Sequence, residues 1–321
     1  MSVSGPPGPP PGVPAEREGE AAFGSTNAPA RELVLGGRRY DIRHRALVMG
    51  ILNRTPDSFY DRGSYYDFDK FLRRAADLVA AGADLLDVGG VKAGPGEEVT
   101  EEAELERVVP AIAALRARFD CPISVDTWRS AVAREAFAAG AVLGNDISGF
   151  ADPDYLAVAA AAGAGVVATH IRLRPRVADP EPVYLDVVAE VAAYLRERVA
   201  RALAAGVGAE SIVVDAGLDL GKTTAHSLAL LGASDRLAAL GHPLLLSASN
   251  KTFLGVLLGL EVHERREASL AAAAVGVSLG CRILRVHDVA GTKRVVAALE
   301  GVLAARDGAA PADVSREGAA P

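Results

Sequence analysis

Leu47-Val48-Met49-Gly50-Ile51-Leu52-Asn53 is an apolar run of strand length that closes on a polar residue, and the same phrase recurs along the chain. After LVMGIL (47–52) come DLLDVG (84–89), PISVD (122–126), AVLGND (141–146), GVVATH (165–170), SIVVD (211–215), PLLLSA (243–248) and RILRVH (282–287), eight runs in all. Short, continuously apolar runs of this kind suit strands buried on both faces of a parallel sheet. Ala-rich amphipathic stretches separate them, near 69–81, 101–118, 129–139, 152–162, 184–205, 223–240, 262–279 and 290–304, with turn signals such as Gly82, Gly140, Gly163, Gly206 and Gly241 at their ends. Pro110 is expected to kink the second helix or delay its start. Eight β-α units without a second domain predict an α/β fold, a closed (β/α)8 TIM barrel. The rival open sheet lacks its mark, since no GxGxxG follows the first strand. Upstream, LVLGGRRYDI (33–42) reads as a short β-hairpin turning at Gly36-Gly37, placed to plug the bottom of the barrel.

The rest of the chain agrees with one large domain. Residues 1–30 and 306–321 are rich in Pro, Gly and small side chains and read as disordered tails, which leaves 31–305 for the barrel. Lys and Arg number 34 against 41 Asp and Glu, a net charge of −7 that argues against nucleic acid or an anionic membrane as partner. Cys121 and Cys281 are too few and too far apart for a disulfide framework and read as two buried thiols. The start lacks the pattern of a signal peptide, and no apolar run is long enough to span a membrane, so a cytoplasmic location is expected.

Polar residues fall in register at the C-terminal ends of the strand-like runs: Asn53, Asp87, Asp126, Asn145, Asp146, His170, Asp215, Ser249 with Lys251, and Arg285 with His287. In a barrel those ends converge on the face where such enzymes work. Any one of them could be a satisfied core group or a loop cap; the whole set in step with eight strands points to a shared site. Asp126, Asn145, Asp215 and Lys251 combine carboxylates, an amide and an amine, a set that suits the N–H and acceptor edges of a flat aminopyrimidinone better than an aliphatic sugar. Asn53, Arg285 and His287 suit an anion, with Arg54 and Lys92 as possible further positive contacts; singly, those two read more simply as solvated loop residues. No neighbouring pair reads as a nucleophile with its general base. Isolated histidines argue against zinc, while Mg2+ held mostly by a diphosphate and by Asn53 fits the residue types.

MGILNRTPDSFYDRG (49–63) resembles the first-strand signature of the dihydropteroate synthases, and AGADLLDVGG (81–90), ISVDTWRSAVA (123–133), NDISG (145–149), DAGLDLGKT (215–223), SASNK (247–251) and RVHDV (285–289) follow in that family's order. The likeness covers about residues 31–304. It implies a transferase of folate biosynthesis, usually a homodimer, that condenses hydroxymethyl-dihydropterin diphosphate with p-aminobenzoate. Asp126, Asn145, Asp215 and Lys251 match the residues that contact the pterin. Asn53, Arg285 and His287 match the diphosphate and magnesium group and, with Lys251, are the catalytic residues that the resemblance implies. Diphosphate leaves early in that chemistry, and the protein's part is electrostatic.

The departures fall elsewhere. The family's second loop reads GGESTRPG, whereas here it is Gly89-Gly90-Val91-Lys92-Ala93-Gly94-Pro95-Gly96, so Ala93 and Gly94 replace a Thr and an Arg. Ser249-Asn250-Lys251 replaces Ser-Arg-Lys, Leu220 stands for a Phe, Ala216 for a Pro, and Thr169-His170-Ile171 for Met-His-Met. Loss of a Thr and an Arg near the reacting centre is worth several kcal/mol of barrier, orders of magnitude in rate. This pattern resembles the second, divergent dihydropteroate-synthase-like paralogue of mycobacteria and related actinobacteria, a group regarded as lacking the ordinary activity. The expectation is therefore a pterin-binding barrel with that condensation lost or weak. A working synthase and a non-catalytic, protein-binding or regulatory barrel are the alternatives, and a folate-dependent methyl transferase is a weaker one.

Overall fold

The computed structural model describes residues 29–54, 65–94 and 96–309. The assigned tails fall almost wholly outside them, as do residues 55–63 of the first-strand signature and Pro95 of the second loop.

Glu32–Leu35 (β1) and Arg38–Asp41 (β2) form the expected antiparallel hairpin. Gly36 and Gly37 turn it, both with positive φ, a conformation glycine adopts without a Cβ clash. The barrel strands are Leu47–Asn53 (β3), Leu85–Gly89 (β4), Ile123–Asp126 (β5), Leu143–Asp146 (β6), Gly165–Thr169 (β7), Ile212–Asp215 (β8), Leu244–Leu246 (β9) and Cys281–Val286 (β10). They pair in parallel and close in the order β10-β3-β4-β5-β6-β7-β8-β9. The eight-unit reading and the hairpin are both found.

Two apolar layers hold the barrel. Inside, Leu47, Met49, Leu85, Leu143, Val167, Val213, Leu245 and Ile283 cluster with Leu33, Leu35 and Ile42 of the hairpin segment, which closes one end of the cylinder. Outside, the alternate strand residues, such as Val48, Leu86, Val125, Val166 and Val214, pack on the helices. The helices are Tyr65–Ala80 (α1), Glu101–Arg116 (α2), Ser130–Ala138 (α3), Tyr155–Ala161 (α4), Val187–Ala204 (α5), Thr224–Gly232 (α6), Ser234–Ala238 (α7), Thr252–Leu258 (α8), Arg266–Ser278 (α9) and Val289–Arg306 (α10). Side-chain caps fix several starts: Thr100 on α2, Asp186 on α5, Thr223 on α6 and Asp288 on α10.

The sequence reading differs in detail. The single helix expected over 223–240 breaks at Ala233 into α6 and α7. The stretch 262–279 opens as a 3-10 turn, Val262–Glu264, before α9, and α8 was not foreseen because seven residues carry little periodic signal. Pro110 neither delays α2 nor ends it. A proline there removes the N–H that would close on Glu106 O. The Arg54 Nη1 group stands in, 3.5 Å from Glu106 O and 2.5 Å from Arg107 O. Both cysteines are free; Cys281 is buried, but Cys121 only partly so. Among the described residues, no helix is long and apolar enough to cross a membrane.

Candidate functional site

Strand alternation decides which polar residues reach the barrel axis. Asn53 shares the face of Leu47 and Met49, Asp87 that of Leu85, Asn145 that of Leu143, Asp215 that of Val213 and Arg285 that of Ile283, so all five face inward at the end opposite the hairpin. Asp126 lies in register between Gly89 and Asn145 and joins them. Asp146 and His170 have the opposite parity and stand behind the site.

A chain of charged contacts ties the inward set together. Arg285 donates from Nε to Asp87 Oδ2 and from Nη2 to Asp126 Oδ2, each at 2.6 Å, and Asn145 Nδ2 donates to Asp87 Oδ2 at 3.3 Å. One guanidinium is therefore shared by two carboxylates, Asp87 fully buried and Asp126 largely so. Burial pushes the Asp126 carboxyl up to about 7, against the pull of Arg285 and with Asp87 adding to the rise. Arg285 is itself held above its ordinary value by Asp87 and Asp126, in spite of burial. Asp87, drawn to the same guanidinium, adds to the rise that burial causes, because one positive charge does not fully match two negative ones.

Asp215 is buried, with its Oδ1 accepting the Gly217 N–H at 2.8 Å, and burial raises its pKa. Lys251 precedes α8 and donates to Leu218 O at 3.1 Å. Burial lowers the Lys251 pKa, with Asp219, Asp215 and Asp126 opposing the shift. His287 keeps an exposed edge. Its ring Nδ1 lies 3.0 Å from Ser249 Oγ, which also accepts the His287 main-chain N–H at 3.2 Å. A separation of 38 residues hid this hydroxyl–imidazole contact from the sequence. The enclosure of the ring, with Arg285, Arg74 and Lys251 around it, depresses its pKa and keeps it neutral at physiological pH.

The remaining singled-out residues lie at the rim. Arg54 is turned to the carbonyls of α2 and stacks over Phe68, 4.8 Å from the ring centre. Lys92 is exposed, and its carbonyl accepts from Arg176. Ala93, Gly94 and Leu220 line one cleft of about 320 Å³. Ser249 and Asn250 line another of about 210 Å³ beside His287. A Cβ on Gly94 would meet nothing within 4 Å, so the space beside it is open.

Three residues were given no role from sequence. Asp87 was noted as a strand end, but its bond to Arg285 spans 198 positions. Lys222 is buried and reaches His170 Nδ1 at 2.9 Å and Leu220 O at 3.0 Å, joining the loops after β7 and β8. Burial lowers Lys222 to about 7 and His170 to about 3. Glu104, wholly buried in α2, pairs with Arg129, and in an amphipathic helix nothing marked it as an inward carboxylate.

The described residues hold no group of three or more His, Cys, Asp or Glu able to grip a metal. A buried acceptor remains at the mouth: Asp87 Oδ1 has no hydrogen-bond partner among the described residues. That oxygen calls for a hydrogen-bond donor.

Comparison with known proteins agrees with the barrel fold. A family model described as pterin binding enzyme matches residues 49–287. The inactive dihydropteroate synthase 2 of Mycobacterium leprae is 47% identical over 266 residues, which cover 80% of this chain and 91% of that protein. The dihydropteroate synthase of Escherichia coli K12 is 39% identical over 280 residues, 86% of this chain and 98% of the other. Among solved structures, the Yersinia pestis dihydropteroate synthase in a sulfonamide drug complex superposes with a TM-score of 0.80 at 38% identity, covering 85% of this chain and 99% of that one. The Xanthomonas albilineans dihydropteroate synthase with 4-aminobenzoic acid gives a TM-score of 0.79 at 38% identity, over 86% and 99%. With its eight-stranded barrel and its polar mouth, the chain belongs to the pterin-binding enzyme family, among the relatives of the dihydropteroate synthases.

Proposed function

We propose that this barrel binds a reduced pterin, or its diphosphate, and that ordinary condensation with p-aminobenzoate is lost or weak. The observation that carries the reading is the inward set around Arg285. Asp126, Asn145 and Asp215 offer acceptors and an amide to the ring edge, Lys251 offers a donor, and buried Asp87 Oδ1 lacks one. Diphosphate is assigned to Asn53, Arg285 and His287. An arriving dianion would compete with Asp87 and Asp126 for Arg285, and its charge would raise the depressed His287 pKa and favour proton uptake there.

Mg2+ is assigned to the diphosphate with Asn53 as its protein ligand. A single amide oxygen suits a hard cation that keeps most of its ligands from water and phosphate, and the ion would supply charge neutralisation on the leaving group. Asn53 would orient it, while Asp126, Asn145 and Asp215 hold the ring still.

Weakness of the condensation is supported by the rebuilt second-substrate corner, Ala93, Gly94, Leu220, Ser249 and Asn250, and by the name of the Mycobacterium leprae relative. A working synthase is the second reading, favoured by the retained pterin half and by likeness to the Escherichia coli enzyme. A homodimer fits the exposed apolar Val256, Leu257, Leu258 and Val262 on α8 and the turn after it. The proposed setting is the cytoplasm, with no nucleic acid as partner. Titration calorimetry with a reduced pterin and with its diphosphate tests the pocket, and no heat at millimolar ligand overturns it. Dihydropteroate formed at an ordinary synthase rate with Mg2+ and p-aminobenzoate would favour the second reading.

A further inference from the structure

In the second βα loop, residues 90–100, Val91, Ala93, Gly94 and Gly96 offer no polar side chain, and the main-chain carbonyls of the loop are bonded from outside it. Arginines from outside the loop take up its carbonyls. Arg107, on the adjoining α2, donates to Gly90 O at 2.9 Å, and Arg129, just before α3, donates to Val99 O at 2.6 Å. These two fasten the loop's ends to its own side of the barrel.

The middle of the loop is held from the opposite rim. Arg176 lies in the segment between β7 and α5, across the cleft. Its main-chain N–H donates to Ala93 O at 3.1 Å, its Nη1 to Lys92 O at 3.2 Å, and its Nη2 to Glu97 O. The planar guanidinium reaches two carbonyls at once, which a lysine cannot do in the same geometry. Arg176 holds this place at φ +67°, a left-handed conformation that non-glycine residues seldom adopt, and such an outlier persists only where its surroundings fix it. The loop is also shaped to receive it, since a Cβ on Gly96 would stand 3.2 Å from Arg176 Nη2. The cleft between the two rims is lined by Ala93, Gly94, Ile171, Leu173, Leu220 and Lys222, the corner where the acceptor would enter under the function proposed above.

We propose that Arg176 is the positioning residue of this corner: it fixes the main chain at Lys92-Ala93 and Glu97 and so sets the width of the acceptor cleft. The loop lost a Thr and an Arg relative to the synthases it resembles, and a side chain from the facing rim now gives it a fixed shape. This rests on the acceptor-corner reading only for its functional meaning; the geometry stands without any ligand.

The test uses the full chain without pterin. Hydrogen exchange by mass spectrometry is followed for the peptides that carry the residue-176 N–H, the donor to Ala93 O, in the unaltered protein, Arg176→Ala, Arg176→Lys and Arg176→Gly. Glycine accepts φ +67° freely and keeps the main-chain N–H, so it separates the side chain from the backbone strain. Exchange of the residue-176 N–H should rise ten-fold or more in the Ala and Gly variants and less in Lys, with β6 unchanged. In a Cys121→Ser background, alkylation of Leu220→Cys should run several-fold faster once Arg176 is Ala. Unchanged exchange and alkylation in well-folded variants overturn the proposal, as does loss of protection spread equally into β6. Neither readout involves pterin, so failure of the pterin titrations leaves this result intact.

Discussion

Replacing Asp126 by Asn removes one of the two carboxylates that share Arg285 and leaves the Arg285–Asp87 bond of 2.6 Å in place. Two effects follow, and they separate. On ligand binding, a charge-assisted hydrogen bond is worth about 1.5–3 kcal/mol, and the Asn amide keeps one acceptor while losing the charge. Pterin affinity should fall by about ten- to a hundred-fold at 1.4 kcal/mol per decade. On stability the sign is opposite. Burial raises Asp126 from 3.8 to about 7, so the folded protein holds that proton more tightly than the unfolded chain does. The stabilisation from that proton is complete below the unfolded value and is lost as pH rises through about 7. At 1.36 kcal/mol per decade the loss is at most on the order of 4 kcal/mol, and Asp126→Asn escapes it. The variant's melting temperature should gain on that of the unaltered protein between about pH 4 and pH 7. Calorimetry with a reduced pterin and melting across that pH range measure both. Pterin affinity within three-fold of the unaltered protein, in a folded variant, would remove Asp126 from the pocket; a pH-independent difference in melting would refute the buried-carboxyl account.

His170, lowered by burial to about 3, stays neutral in the fold but charges in the unfolded chain. Its contribution is therefore present above pH 6.5 and lost as pH falls toward 3, so His170→Asn should move the acid-unfolding midpoint, read by circular dichroism, to lower pH. Arg129→Ala strands the buried Glu104 carboxylate and should cost about 3–5 kcal/mol in urea unfolding, whereas a loss below 1 kcal/mol would mean that Glu104 is already protonated. Restoring Thr at Ala93 and Arg at Gly94 together should raise dihydropteroate formation above that of the unaltered chain. No gain in a folded variant would assign the change to the loop's path rather than to those two side chains.

Sequence legibility followed the range of the interactions. Asn53, Asp87, Asn145, Asp215 and Arg285 could be placed at one barrel mouth because each ends an apolar run, and their inward direction follows from parity with Leu47, Leu85, Leu143, Val213 and Ile283. The same rule, applied to Asp146 and His170, turns them away from the axis. Asp146 instead accepts the N–H groups of Ser148 and Phe150, tightening the loop behind the site.

Local patterns in the chain determined the eight units, the hairpin at Gly36-Gly37 and the end of the barrel that carries the polar groups, since each depends on neighbours a few positions apart. Tertiary structure alone decided which charges meet. It gave Arg285 to Asp87 and Asp126, Arg54 to the carbonyls near Pro110, and Arg176 to the facing loop. Those partners stand tens to hundreds of residues apart, and barrel closure fixes their separation in space; a long, flexible, charged side chain records none of that in its own sequence neighbourhood.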